Sequence, residues 1–340
     1  MRAAQFSVFG AAPDVLKVLT DAPVPEIGPD DILVDNGATT VNPIDCAVRA
    51  GYGSAFFLRE GLIRIPLIPG RDVAGVVAAV GANISDFRVG DRVYAGVPNF
   101  ASAEQVGLPA AWAAPAPLTL STPEAASLPY VALTTWTALV DILGLTPETT
   151  QGKRVVVPRG AGGVGSFAIQ LMKAWGAHVA TVCSTRNVDL VRSLGADVVV
   201  DYTREDFREV LKDYDVAFDT AFDTEEGLLG TLKTGADAAY VSIVTPKLHM
   251  IDQFGLEDGI ARGEAFLADR KAQQARLGRR YEWAFMKPNG AALRTIAALV
   301  DEGRIRPVID RVYGLDQIVD AHLYCETKQA QGKIVIDITR

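Results

Sequence analysis

The stretch KRVVVPRGAGGVGSFAIQLMKAWGAHVATVC, residues 153–183, decides how the chain is read. A β-branched apolar run, Val155-Val156-Val157, enters a glycine-dense turn, Gly160-Ala161-Gly162-Gly163-Val164-Gly165. Val164, Phe167, Ala168, Leu171, Met172 and Trp175 then recur at the spacing of one helical face. Gly176 stands where a left-handed cap ends such a helix, and 177–182 reads as the next parallel strand. In a nucleotide site Gly160 permits the tight turn, Gly162 lets the main chain approach a pyrophosphate, and Gly165 lets helix and strand pack closely. Amides and dipole at the helix start then hold phosphates. A glycine-rich turn alone is weak, but strand, turn, periodic helix and second strand in succession form the context the motif needs.

The end of that second strand reports on the cofactor. Sites for NAD place Asp or Glu about 20 residues beyond the glycines, against the ribose 2′-hydroxyl. Here the chain reads Cys183-Ser184-Thr185-Arg186-Asn187, with no carboxylate before Asp189. Hydroxyls beside an arginine suit a 2′-phosphate, because the guanidinium offers a planar fork of donors. NADP(H) is the expected cofactor. Ser184 or Thr185 also serves as a cap for a helix starting near Val188.

At 340 residues the chain is long enough for two domains with proper cores. A net charge of −8 argues against nucleic acid or an anionic membrane as partner. No apolar run reaches the ~18 residues that span a bilayer. The opening MRAAQFSVFG reads as a strand start and not as a signal or transit peptide, so the cytosol is the expected compartment. The three cysteines, Cys46, Cys183 and Cys325, form no CxxC pair, which predicts reduced thiols.

Residues 1–126 show short apolar strands separated by Gly, Pro and Asp turns, with no βαβ rhythm. An antiparallel, partly barrel-like domain fits. A helix over 131–143 leads into the nucleotide unit, after which strands and helices alternate through 240–244, the rhythm of a doubly wound parallel sheet. The polar segment 246–280 has no clean period and reads as a flap on the substrate side. A further short strand is expected at 281–286. The tail returns to β texture at Gly332-Lys333-Ile334-Val335-Ile336. The expected domains are 1–126 with 290–340, and 127–289.

Several stretches together resemble the medium-chain dehydrogenase/reductase superfamily: VNPIDCAVRAGYG (41–53), IPGRDVAGVVAAVGANISDFRVGDRVYAG (68–96), ALTTWTAL (132–139), AGGVGSFAIQLMKAWGA (161–177), LGADVVVDY (194–202) and QGKIVI (331–336). Within it the chain looks like the zinc-independent quinone oxidoreductase (zeta-crystallin) branch, nearest in look to the reticulon-interacting oxidoreductase-like group through MKAWGAHVATVCS and YEWAFM. The resemblance implies an α/β fold: a Rossmann doubly wound sheet plus a β-rich, GroES-like catalytic domain. It also implies a homodimer, for which the strand at 281–286, expected at an exposed sheet edge, would be where a second copy pairs. It implies that Gly162, Gly163, Val164 and Gly165 hold the pyrophosphate, that Ser184, Arg186 and Tyr202 lie near the 2′-phosphate, and that Thr134 lies near the carboxamide. Ile243, Val244, Phe285 and Met286 would bound the nicotinamide. The chain departs from the family's D-x-V-G-G at Asp219-Thr220-Ala221-Phe222-Asp223, where ribose contacts are expected.

In the superfamily's zinc enzymes a Cys and a His stand where this chain has Asn42 and Arg71, and neither replacement is a normal zinc ligand. His178, His249 and His322 offer no substitute, so no metal is expected. The resemblance then implies NADPH-dependent reduction of a small quinone or α,β-unsaturated carbonyl, with charge developing on a conjugated oxygen that needs positioned donors. Tyr52 is the candidate donor, with Asn42 beside it; the alternatives are a tyrosine that only walls the pocket and an asparagine that only serves the turn before Pro43. Asp45 and Arg49 are expected to orient the loop as a pair. Phe56, Phe57 and Trp283 line a cavity or pack a core. Two other functions stay open: a 2-enoyl thioester reductase, with Arg270, Lys271, Arg276, Arg279 and Arg280 as a phosphate cluster, and an NADPH-binding scaffold with little catalysis.

Overall fold

The structure is a computed structural model that describes every residue except Ala236. The chain divides into two compact units, Met1–Leu133 with Lys287–Arg340, and Thr134–Met286. The division falls inside the helix Pro129–Trp136, later than a boundary at 126 read from the change of texture. That helix passes into a π-helical stretch, Thr137–Ile142, and Gly144 ends it at φ 76°.

The first unit is β-rich. Its strands are β1 (Ala3–Gln5), β2 (Lys17–Leu19), β3 (Asp31–Val41), β4 (Asp72–Val80), β5 (Arg92–Gly96), β6 (Gln105–Pro109) and β7 (Ala113–Pro115). They are joined late in the chain by β14 (Ile309–Gly314) and β15 (Lys333–Asp337). Seven strands form one sheet in the order β14-β15-β3-β4-β5-β7 with β6 also on β3. Pairing is antiparallel as expected, save for the parallel pair β14–β15. The long β3 carries two registers, so both β4 and β6 lie against it. Ile32 and Val34 of β3 pack with Val73, Val93 and Leu108 in one core. Val41 at its far end belongs to a second core with Phe6, Leu67, Ile334 and Ile336. That second core is closed by the helices Pro43–Arg49 and Ile318–Glu326.

The second unit is a six-stranded parallel sheet: β8 (Arg154–Pro158), β9 (His178–Cys183), β10 (Val198–Asp201), β11 (Val216–Asp219), β12 (Ala239–Ser242) and β13 (Arg280–Trp283). Its order is β10-β9-β8-β11-β12-β13, the doubly wound arrangement in which the order of strand addition reverses between β8 and β11. Val155, Val156 and Val157 are all fully buried, because both faces of such a sheet are covered. Their run is therefore continuous and not alternating.

The segment 246–280 corrects the expectation of an irregular flap. It forms two helices, Lys247–Phe254 and Leu256–Ala275. They meet closely at a glycine: a Cβ on Gly259 would stand 2.3 Å from Ile251 Cα. The longer helix also touches β13. Phe266 stacks on Trp283 with ring centroids 6.0 Å apart, and Lys271 Nζ pairs with Glu282 Oε2 at 2.7 Å. Both contacts are made by side chains, and among the described residues β13 pairs with no strand other than β12. Among the described residues no helix is long and apolar enough to cross a membrane.

Candidate active site

In the second unit, the turn after β8 leads into the helix Gly163–Ala174, whose start carries no side-chain cap. The first-turn amides of a helix have no intrahelical acceptor, so those of Gly163, Val164 and Gly165 face outward as donors. Two positions of the turn have no room for a side chain. A Cβ on Gly165 would lie 2.4 Å from the Arg159 carbonyl oxygen, and one on Gly160 2.1 Å from Thr181 Oγ1. Register puts the other candidates at the same level. Pro158 of β8 stands beside Val182 of β9, and Cys183 beside Asp201 of β10. Ser184, Arg186 and Tyr202 therefore follow the ends of the two strands next to the glycine turn. Ile243 and Val244 follow β12, and Phe285 and Met286 follow β13, its parallel neighbour. All of them lie past the carboxyl ends of strands, the edge at which open parallel sheets bind ligands. Thr134 comes from the helix before the sheet and is buried.

Side-chain chemistry separates these residues. Arg186 and Tyr202 are exposed, and a cavity of about 650 Å³ opens beside Tyr202, with Arg204, Phe207, Arg208 and Asp223 in its walls. Thr185 is committed: its hydroxyl donates to Asp201 Oδ2 at 2.6 Å. With Thr203 and Arg204 also on Asp201, that carboxyl is held below its ordinary range. After β11 the departure from D-x-V-G-G keeps a turn by other means. Asp223 takes φ 63°, a conformation Asp tolerates, and Thr220 Oγ1 donates to the Pro158 carbonyl at 2.6 Å.

The first unit holds a buried polar cluster around the start of the helix Pro43–Arg49. Asn42 caps that helix, and its main-chain N–H donates to Asp45 Oδ2 at 2.8 Å. Asp45 Oδ1 receives Arg71 Nε at 3.0 Å. Burial pushes the Asp45 carboxyl up, and the Arg71 charge opposes that shift. Asp72, fully buried, accepts from Thr40, from Asn42 Nδ2 at 3.0 Å, from Lys333 Nζ at 3.3 Å and from the Tyr130 N–H at 2.6 Å. Lys333 Nζ also donates to Asn42 Oδ1.

This geometry corrects several expectations. Asn42 gives its amide hydrogens to Asp72 and Thr40, so none is left for a substrate oxygen. Asp45 does not pair with Arg49; it pairs with Arg71, while Arg49 reaches Glu326. Trp283 packs in the core of the second unit, and Phe57 against the core of the first. Tyr52 sits half-buried in the glycine turn after the Pro43–Arg49 helix. The basic cluster proposed for coenzyme A is spent internally. Arg270 pairs with Glu225 and Glu226, and Lys271 with Glu282. Arg279 and Arg280 donate to main-chain carbonyls. Lys333 escaped the sequence reading, although a lysine opening an otherwise apolar strand was the available signal. Zinc does not fit this cluster. Asn42 and Arg71 present an amide already satisfied and a cation, Lys333 adds a second cation, and among the described residues no group of three His, Cys, Asp or Glu is placed to hold a metal.

With this fold and these sites, the chain belongs to the medium-chain dehydrogenase/reductase superfamily. Residues 28–114 match the family described as alcohol dehydrogenase GroES-like domain, and residues 194–336 the family described as zinc-binding dehydrogenase. The chain is 38% identical to the mitochondrial NAD(P)H oxidoreductase RTN4IP1 of Danio rerio, over 96% of this chain and 88% of that protein. It is 32% identical to the chloroplastic NADPH-dependent alkenal/one oxidoreductase of Arabidopsis thaliana, over 99% and 79%. The quinone oxidoreductase of Coxiella burnetii superposes with a TM-score of 0.82 at 28% identity, over 99% of each chain. The names of these two relatives place them in organelles, which lends no support to the cytosol expected from the opening residues.

Proposed function

We propose that the chain is an NADPH-dependent oxidoreductase that reduces quinones or α,β-unsaturated carbonyl compounds without a metal. The observation that carries this reading is the carboxyl edge of the parallel sheet. An uncapped helix start at the switch point lies next to a strand end bearing Ser184 and Arg186 and no carboxylate before Asp189. The amides of Gly163, Val164 and Gly165 hold the pyrophosphate, while Ser184, Arg186 and Tyr202 receive a 2′-phosphate. Thr134, Ile243, Val244, Phe285 and Met286 bound the nicotinamide. A reduced nicotinamide, when bound, supplies one hydride.

The acceptor's electron-poor carbon gains a C–H bond, its C=C pair shifts one bond toward the carbonyl carbon, the C=O π pair passes to the oxygen, and a proton completes the product. Tyr52 is the proposed proton donor. The thioester reading loses its support with the basic cluster, four of whose five residues are already paired. All three cysteines are buried and free, which fits a reducing compartment, and the cytosol meets that condition.

The test is cofactor oxidation across quinones, enones and crotonyl-type thioesters with NADPH and with NADH. NADPH should be preferred with free quinones or enones. Arg186→Ala should raise KM for NADPH by about tenfold or more while leaving NADH little changed, the loss of one charge-assisted contact. Tyr52→Phe should slow enone reduction by about 10²-fold at unchanged NADPH affinity. A preference for NADH, or tight NADPH binding with no turnover of any acceptor, would overturn the reading.

A further inference from the structure

Arg71 keeps donors in reserve. The residue is 8% exposed, its Nε donates to Asp45 Oδ1 at 3.0 Å, and its guanidinium carbon lies 5.6 Å from the centre of the Tyr130 ring. Among the described residues, neither terminal nitrogen has a hydrogen-bond or ion-pair partner. Neither is sealed in the interior, since the side chain keeps 10% of its surface. Arg49 makes the contrast. It also has unpartnered nitrogens, Nε and Nη1, but the side chain is 1% exposed and those atoms are closed off from any ligand.

A desolvated guanidinium with unpaired N–H groups is costly unless something completes it. Asp45 on one edge and Tyr130 on one face fix the plane of Arg71, so the remaining fork of donors is preorganised. Its neighbours cannot take the same role. The hydrogens of Asn42 are given to Asp72 and Thr40, and Lys333 is bound to Asn42 and Asp72. Asp45 already balances the resting charge of Arg71, so the fork favours an oxygen that gains charge during reaction over a resident anion.

We propose that the terminal nitrogens of Arg71 receive the carbonyl oxygen of the acceptor and stabilise the negative charge it gains as the carbon takes the hydride. The C=C pair shifts toward the carbonyl carbon, the C=O π pair ends on that oxygen, and the proton then comes from Tyr52 or water. The inference rests on the reductase reading and adds to it a catalytic residue that carries positive charge.

The experiment compares wild type with Arg71→Met, Arg71→Lys and Arg71→Ala. Arg71→Met should lower kcat with enones by about 10²–10³-fold, with NADPH affinity unchanged. The loss should be smaller for readily reduced quinones, whose product oxyanion is less basic. Guanidinium chloride at millimolar concentration should restore at least tenfold of the rate to Arg71→Ala, which a purely structural arginine would not allow. As a readout free of turnover, p-nitrophenol bound to wild type should shift toward its coloured phenolate, and the shift should vanish in Arg71→Met. If Arg71→Met does not fold, Arg71→Ala assayed with and without guanidinium carries the same comparison, and Arg71→Lys, which keeps the charge but not the planar fork, should lose less than either. An enone rate within about threefold of wild type, or an undiminished phenolate shift, overturns the proposal. An inactive wild type that still shows the Arg71-dependent phenolate shift would sink the reductase reading and leave the oxyanion site standing.

Discussion

Lys333 opens a strand whose next residues are Ile334, Val335 and Ile336, yet its ammonium is 5% exposed and touches Asp72 and Asn42. A buried pair of this kind is weak evidence of net stability, but breaking it from one side leaves an uncompensated charge. Lys333→Met should therefore cost about 3–5 kcal/mol in urea unfolding at neutral pH. Adding Asp72→Asn should recover part of that loss. A single variant as stable as wild type would show that Asp72 needs no cation. His322 is a second buried titratable group. It is 1% exposed, its Nδ1 is 3.4 Å from Cys46 Sγ, and burial together with the nearby Arg49 pulls it down from 6.5 to about 3. Between those two values the unfolded chain binds a proton that the folded chain refuses. Stability is then fully present above about pH 6.5 and falls on acidification, by up to about 1.4 kcal/mol per pH unit from this group. Urea midpoints at pH 7, 6 and 5 should fall less steeply in His322→Gln than in wild type. Equal slopes would mean that His322 binds its proton as readily in the fold as in the unfolded chain.

At the scale of elements, the helix pair of 246–280 shows what periodicity misses. The contact between Lys247–Phe254 and Leu256–Ala275 is made at Gly259, with Gly263 against the side chain of Lys247. Small residues let two backbones approach and leave no apolar stripe in the sequence. Gly259→Ala would gain about 1 kcal/mol of helix propensity. It would also place a Cβ 2.3 Å from Ile251 Cα, where no side-chain rotation relieves the overlap. The clash should win by about 1–3 kcal/mol, read as faster hydrogen exchange across both helices while the parallel strands stay protected. Gly230→Ala has the opposite sign. It lies in the helix Glu225–Thr231 with nothing within 4 Å of the new Cβ, so the propensity gain should stand alone. Two variants of the same sign would refute the packing argument. Arg270 ties the long helix to Glu225 and Glu226, which explains why a run of cations there is not a free patch.

At the scale of the whole molecule, each unit is organised around its own cores, and among the described residues β13 ends the parallel sheet, paired only with β12. An edge of unpaired N–H and C=O groups is a template for a second copy. Pairing of two copies there should make the protein sediment at twice the 36.3 kDa of one chain at micromolar concentration, an association lost on substitution of a β13 residue by proline. Particles of 36.3 kDa only would refute that pairing.

The doubly wound sheet, its glycine turn and the β texture of the first unit are legible in the order of residues alone. Those features follow from local rules: continuous apolar runs for strands covered on both faces, glycine where a Cβ would strike a neighbour, one periodic face on the helix after the turn. The partners of Asp45, Asn42, Arg71 and Lys333 emerge when the chain is folded, because they are brought together from positions 42 to 333 and carry no mark of one another in the chain. The helix pair at 246–280 was hidden for a related reason. Its stability comes from backbones meeting at glycine and from ion pairs to distant residues, and neither leaves a period for a sequence to display.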